Sequence, residues 1–235
     1  MLRNLLRELY WSVKHVAYGV FGTKFYETYW TNRPKPINLG NYDTWAQDPH
    51  RRYLAAQLEE IAPLSSILDV GCGAGAAVLL LAKRFPEANV LGIDVNTISI
   101  DAGNQNIDGH GVKNARLYAG SALDLSLFES KSVDVAFTDA VLLYIGPDKI
   151  FRVISEMQRV ARKGLVFLEF HDPTLSGQQA IYGKHTEDGF VRDYARLLGE
   201  FEKISFVSVS KIPTEVFPTG TWPLYGYVIK AVLNS

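Results

Sequence analysis

Three glycines at alternate positions, Gly71, Gly73 and Gly75, follow Asp69 in the run Ile67-Leu68-Asp69-Val70-Gly71-Cys72-Gly73-Ala74-Gly75. Such a run lets the main chain turn tightly and approach a ligand, and the free amides of the helix that follows favour a carboxylate or phosphate. A second acid, Asp94, stands near the end of the next apolar run, Val90 to Val95. An ionised carboxylate there has two oxygens with which to accept from both hydroxyls of a ribose. These residues alone do not name the ligand, because Gly71, Gly73 and Ala76 also satisfy the dinucleotide pattern. Groups able to take a proton stand at two further run ends, Thr138-Asp139 and Glu169-Phe170-His171-Asp172. An imidazole with an ordinary pKa of about 6.5 is a better base near neutrality than a carboxylate, so His171 is the expected general base and Asp139 the second candidate.

Strands must end beside these residues if they are to act together. The runs Ile67 to Val70, Val90 to Val95, Ala115 to Ala119, Val133 to Thr138 and Leu165 to Phe170 read as buried parallel strands. Helical patterns separate them. One opens at Asp48-Pro49 and runs to about Ala62, and another spans Pro147 to Arg162, with Gly164 ending it. Strands alternating with helices predict a doubly wound α/β sheet. The last third departs from this rule: after a helix near Val191 to Leu198, the runs Ile204 to Ile212 and Tyr225 to Leu233 follow with no helix between them. Two such strands pair antiparallel, which predicts a seven-stranded, mostly parallel sheet with a C-terminal antiparallel pair.

The chain has 235 residues, 47% of them hydrophobic, enough for one well-buried core. Its 24 basic and 25 acidic side chains leave a formal charge of -1, so no global positive field favours a nucleic acid. The single cysteine, Cys72, excludes an intramolecular disulfide and is consistent with a cytoplasmic protein. Near the start, Leu2, Leu5, Leu6, Leu9, Val13, Val16 and Val20 recur at helical spacing, while Arg7, Glu8, Lys14 and His15 interrupt any signal-peptide or bilayer-spanning run. An amphipathic helix is expected there, serving as a lid, a dimer contact or a peripheral membrane contact. Residues 1–47 read as a helical and aromatic cap, and 48–235 as the α/β domain.

The segment ILDVGCGAG resembles the first motif of class I, Rossmann-like methyltransferases that use S-adenosylmethionine. VLGIDVN resembles their ribose-binding strand end, YAGSALDL their adenine-binding stretch, and FTDAVLLYI the segment after their fourth strand. The matches keep the family's order from about Ala56 to Phe170. The resemblance implies S-adenosylmethionine as cofactor, with Asp69, Gly71, Cys72, Gly73 and Gly75 around its methionine end and Asp94 on the ribose. It places Val95 and Asn96 beside the adenosine, the Ala122 amide at the adenine edge, and Thr138 near the cofactor. The family commonly has an aspartate where this chain has Ser121. That contact can pass to Ser121 itself, to Asp124, or be absent.

Methyl transfer from a sulfonium is an in-line displacement that must align donor and acceptor and, for a hydroxyl, remove a proton. Thr138-Asp139-Ala140-Val141 lacks the polar-Pro-Pro-aromatic motif that grips planar nitrogens in many amino-methyltransferases. The expected acceptor is therefore a small molecule with a hydroxyl or carboxyl, a metabolite or a sugar of a glycan precursor. Tyr26, Tyr29, Trp30, Tyr42, Trp45, Tyr144, Phe217, Trp222 and Tyr225 are available as its walls, with Tyr42, Trp45, Tyr144 and Trp222 foremost. His50-Arg51-Arg52 and Arg192 are candidates for an anionic acceptor. Asp139 and Asp172 occur at strand ends where metal-dependent catechol-type relatives place carboxylates, but Phe170-His171-Asp172 is a poor match to their acidic pair, so no metal is expected. A catalytically silent S-adenosylmethionine-binding partner and, less so, a nicotinamide oxidoreductase remain as alternatives.

Overall fold

The computed structural model describes residues 24, 26–35 and 48–234. The amphipathic stretch at the N-terminus, Tyr42 and Trp45 lie outside them. Residues 26–31 are helical, and the rest follows as α1 (Pro49–Glu59), β1 (Ser66–Val70), α2 (Ala76–Arg84), β2 (Asn89–Asp94), α3 (Thr97–Gly109) and β3 (Ala115–Ala119). Then come β4 (Val133–Asp139), a 3-10 turn (Leu142–Tyr144), α4 (Ile150–Val160), β5 (Ala161–Phe170) and α5 (Gly177–Tyr182). A short hairpin, β6 (Lys184–His185) and β7 (Phe190–Val191), leads to α6 (Tyr194–Gly199), β8 (Ile204–Lys211), α7 (Trp222–Tyr225) and β9 (Gly226–Leu233).

Seven strands form one sheet in the order β3-β2-β1-β4-β5-β9-β8. The first five are parallel, and β9 runs antiparallel to both β5 and β8, so the expected fold class holds. Helices cover both faces, which is why every residue of β1 is buried and why the strand reads as an unbroken apolar run around Asp69. One apolar layer packs α4 and α6 against the sheet through Ile154, Met157 and Leu197. The other packs α1 and α2 through Leu54, Leu58 and Leu81. Strand order reverses between β1 and β4, and the carboxyl ends of those strands open the crevice where ligands bind in such sheets.

Two local expectations change. The helix predicted over Pro147 to Arg162 is confined to Ile150–Val160, and Arg162, Lys163 and Gly164 belong to β5. The reason is long-range: Asp134 on the neighbouring strand accepts from Arg162 Nε at 2.7 Å and lies 3.3 Å from Lys163 Nζ. Gly164 faces β9 so closely that a Cβ would sit 2.6 Å from the Ala231 carbonyl oxygen. It is a close-approach glycine and no helix stop. At α1, Asp48 occupies the N-cap position, yet its carboxylate holds the Arg51 guanidinium at 3.0 Å and makes no capping bond. Among the described residues no helix is long and apolar enough to cross a membrane.

Candidate active site

Gly71, Gly73 and Gly75 have φ of 87°, 54° and 75°, a backbone region closed to most side chains, and they bend the chain from β1 into α2. At Gly71 the constraint is double, because a Cβ would also lie 2.4 Å from Val141 Cγ2. The turn is tied to β2 through the Gly71 and Cys72 amides, which donate to the Ile93 carbonyl at 2.7 and 3.1 Å. It is tied again through Asp94, whose two oxygens accept from the Gly73 amide at 2.9 Å and the Asn96 amide at 2.8 Å. Burial pushes the Asp94 carboxyl above its ordinary range, and these two amides pull it back.

Beyond Asp94 the chain contributes side chains from both directions. The Asn96 carbonyl oxygen caps α3 by accepting from the Ser99 amide, while its nitrogen donates to the Trp30 and Arg33 carbonyls at 2.9 and 3.1 Å. The Ser121 hydroxyl donates to Glu27 at 2.8 Å. Residues 26–33 thereby lie against the ends of β2 and β3, and Tyr26, Glu27, Trp30 and Arg33 line the same cavity as the glycine turn.

That cavity is about 370 Å³. Of the residues singled out from sequence it brings together Asp69, Gly71, Cys72, Gly73, Asp94, Val95, Ser121, Ala122 and Asp139, with Tyr26, Trp30, Tyr144, Phe217 and Trp222 of the aromatic walls and His50 and Arg51 of the basic cluster. Gly75 stands behind it, where a Cβ would strike the Leu117 side chain at 2.7 Å. Thr138 is fully buried and off the cavity, because strand alternation sends it to the face opposite Asp139.

His171 also lies outside the lining. Strand β5 ends at Phe170, and His171 pairs instead with Arg192 and turns its ring into the interior. Its Nδ1 accepts from the Tyr194 amide at 3.0 Å, its ring meets Tyr227 edge-on at 4.9 Å, and it is 2% exposed. Burial pushes its pKa down, so the neutral acceptor form is the one this environment selects. Arg192, a candidate for an anionic acceptor, is equally committed. Its guanidinium donates to the carbonyls of Leu142, Ile145 and Tyr182 with no exposed surface.

Among the proton-accepting groups that line the cavity, His50 and Asp139 stand together as a pair. His50 sits in the first turn of α1, and its Nε2 is 3.4 Å from Asp139 Oδ2 at the end of β4. Burial would raise the Asp139 carboxyl, but the His50 hydrogen bond and the charges of His50 and Arg51 hold it below its ordinary value. Asp69 is pushed well above the usual range by burial and the nearby Asp139 charge, with Arg51 opposing. The His50 ring stacks on Phe217 at 4.7 Å, and Phe217 stacks on Trp222 at 4.2 Å and 11°. The sequence named His50 only for an anion. The usable signal was Asp48-Pro49, which fixes a helix start and therefore the residue of its first turn.

The loop after β4 has a support that the sequence reading did not identify. Glu169 is fully buried and accepts from the Val141, Leu142 and Leu143 amides at 2.9, 2.9 and 3.1 Å. Burial pushes its carboxyl up to about 7 even so. Val141, which the carboxylate holds, is the residue that packs on Gly71.

The sequence family described as a methyltransferase domain matches residues 61–191, more than half of the chain. Over 149 residues the chain is 31% identical to a demethylmenaquinone methyltransferase of Geobacillus stearothermophilus, covering 62% of this chain and 60% of that one. Over 198 residues it is 29% identical to a U6 snRNA (guanine-N(2))-methyltransferase of Bos taurus, covering 80% and 37%. The match thus spans less than two thirds of either relative's own length. Among solved structures, a SAM-dependent methyltransferase from Aquifex aeolicus superposes with a TM-score of 0.55 at 18% identity, covering 80% of this chain and 99% of that one. Strand order, glycine turn and sequence match agree: the chain belongs to the methyltransferase-domain family and has the fold of its class I, Rossmann-like members.

Proposed function

We propose that the protein is an S-adenosylmethionine-dependent methyltransferase that methylates a hydroxyl on a small molecule. The observation that carries this is the meeting, in one cavity, of a glycine turn locked to Asp94 with a His50–Asp139 pair across from it. The residues present fit the cofactor. Positive φ disfavours side chains at Gly71 and Gly73, which leaves main chain to approach an amino-acid end beside the buried acid Asp69. Asp94 spends one acceptor site of each oxygen on an amide and keeps others for a ribose diol. When bound, the sulfonium of S-adenosylmethionine supplies an electrophilic methyl group.

The chain's own part at the acceptor end is alignment and proton removal. His50 takes the hydroxyl proton, and the Asp139 carboxylate, kept ionised despite its burial, stabilises the imidazolium that results. Phe217, itself stacked on Trp222, holds the imidazole from behind. A small acceptor is supported by the enclosure of the cavity by residues 26–33 and by the near-neutral net charge.

Calorimetry with S-adenosylhomocysteine tests the cofactor reading. Binding by the wild-type protein and a loss of about one to two orders of magnitude in Asp94→Ala are expected, from two charge-assisted hydrogen bonds. Tight NADH binding with no response to S-adenosylhomocysteine would sink it. Release of S-adenosylhomocysteine with a panel of phenols and hydroxy acids tests the enzyme reading. Binding without turnover on any hydroxylated compound would favour the silent partner.

A further inference from the structure

The cavity is bordered by four acidic side chains, each on a different element. Asp69 is in β1, Asp94 ends β2, Asp139 ends β4, and Glu27 comes from the helical segment 26–31. Strand β3 lies next outward from β2, so the residues just past its end, Gly120 to Ala122, border the part of the cavity beyond the group that Asp94 holds. If Asp94 takes the ribose, a base attached to that ribose reaches the end of β3. Glu27 is the acid found there.

Its position is set on several sides. The Ser121 hydroxyl donates to Glu27 Oε1 at 2.8 Å and accepts from the Leu123 amide at 3.2 Å, so the hydroxyl proton is directed at the carboxylate. One residue before Glu27, the Tyr26 hydroxyl meets His185 Nε2 at 3.0 Å and the Tyr26 ring packs on Tyr144 at 5.1 Å. Three residues after it, the Trp30 carbonyl accepts from Asn96. A carboxylate offers about four lone-pair sites and Ser121 uses one. What remains is acceptor capacity only, facing a place where an adenine presents an amino group and a hypoxanthine presents a carbonyl.

We propose that Glu27, carried by the N-terminal segment, is the acceptor that reads the exocyclic amino group of the cofactor's adenine, with Ser121 pinning its carboxylate. The proposal rests on the S-adenosylmethionine reading above. It gives the N-terminal segment a defined task, adenine selection, and explains how a chain with serine at position 121 can still present a carboxylate at the end of β3.

The test is calorimetry with two ligands, S-adenosylhomocysteine and its deaminated analogue S-inosylhomocysteine. Wild-type protein should prefer the adenosyl compound by about tenfold or more, the scale of one hydrogen bond to a charged acceptor. Glu27→Gln keeps the shape but adds an amide donor, and should narrow or reverse that preference by strengthening the inosyl compound. Glu27→Ala combined with Ser121→Asp supplies the carboxylate from β3's own end and should restore the wild-type order. An unchanged ratio of the two affinities in Glu27→Gln overturns the proposal, as does equal binding of both ligands by the wild-type protein. Failure of the wild-type protein to bind either ligand overturns instead the cofactor reading beneath it.

Discussion

The two ends of the cavity are built by different means. At the cofactor end the geometry is main chain: three glycines at positive φ, two amides on Ile93 and two on Asp94, all within the span from β1 to the start of α3. At the acceptor end it is side chain: His50 from α1, Asp139 from β4, Tyr144 from the 3-10 turn, and Phe217 and Trp222 from the connection between β8 and β9. A main-chain site is fixed as soon as its strands pair, and it tolerates no added atoms. A stack of rings from distant segments holds its place by packing, and can be exchanged ring by ring without undoing the sheet. Family members that share a cofactor and differ in acceptor need this division, since function rests in the site and is not dictated by the fold.

The comparison breaks most easily at Gly71. Gly71→Ala combines a strained φ with overlap against Val141, and should cost about 3 kcal/mol of stability, lower the melting temperature by about 10 °C and abolish S-adenosylhomocysteine binding. Thermal melts and calorimetry read both effects, and a variant binding within twofold of wild type would show that the cofactor end is not set by its main chain. Next comes His50→Ala, which should lower turnover about a hundredfold or more while cofactor affinity stays as it was. His171→Ala, made in parallel, should leave the pH-rate profile in place; a lost low-pH limb there and an intact one in His50→Ala would reverse the assignment.

The smallest effect sharpens the comparison, because Glu169 is where the acceptor side borrows the main-chain strategy. Its native pKa of about 7 stands above the ordinary 4.5, so the folded protein binds this proton more tightly than the unfolded chain does. The corresponding stability is fully present below about pH 4.5 and is lost as pH rises to about 7, with a slope of at most about 1 kcal/mol per pH unit. Melting temperature followed across that window should show the fall in wild type and a flatter course in Glu169→Gln. Equal slopes in the two proteins would place the titrating group elsewhere.

The strands and the cofactor end were legible because their signals are local. Buried parallel strands are continuous apolar runs, and the glycine turn and Asp94 sit at run ends whatever lies further along the chain. The C-terminal pair was readable for the same reason, as two runs with no helix between them. What could not be read depends on partners far away in sequence. Arg162-Lys163-Gly164 has the look of a helix end until Asp134 and Ala231 are seen beside it. His171 stands at a strand end like Asp139, but the chain after β5 swings toward Arg192 and takes the ring inward. The short hairpin of two-residue strands carries no periodicity at all. Thr138 was placed on the right strand and the wrong face, an error of one residue that alternation turns into an error of side.

Anyone wishing to recast the acceptor by engineering inherits a rule from Arg192. Its three nitrogens reach carbonyls of Leu142, Ile145 and Tyr182, which belong to two different segments of chain, and its charge is wholly shut away from water. Lysine keeps the charge but concentrates its donors on one atom, and cannot span carbonyls that a planar fork was matched to. Any uncharged replacement leaves buried carbonyls without donors. Library diversity therefore belongs at Phe217, Trp222 and Tyr144, while position 192 is best kept constant, for it joins the loop that borders the acceptor to the scaffold that any redesign must keep.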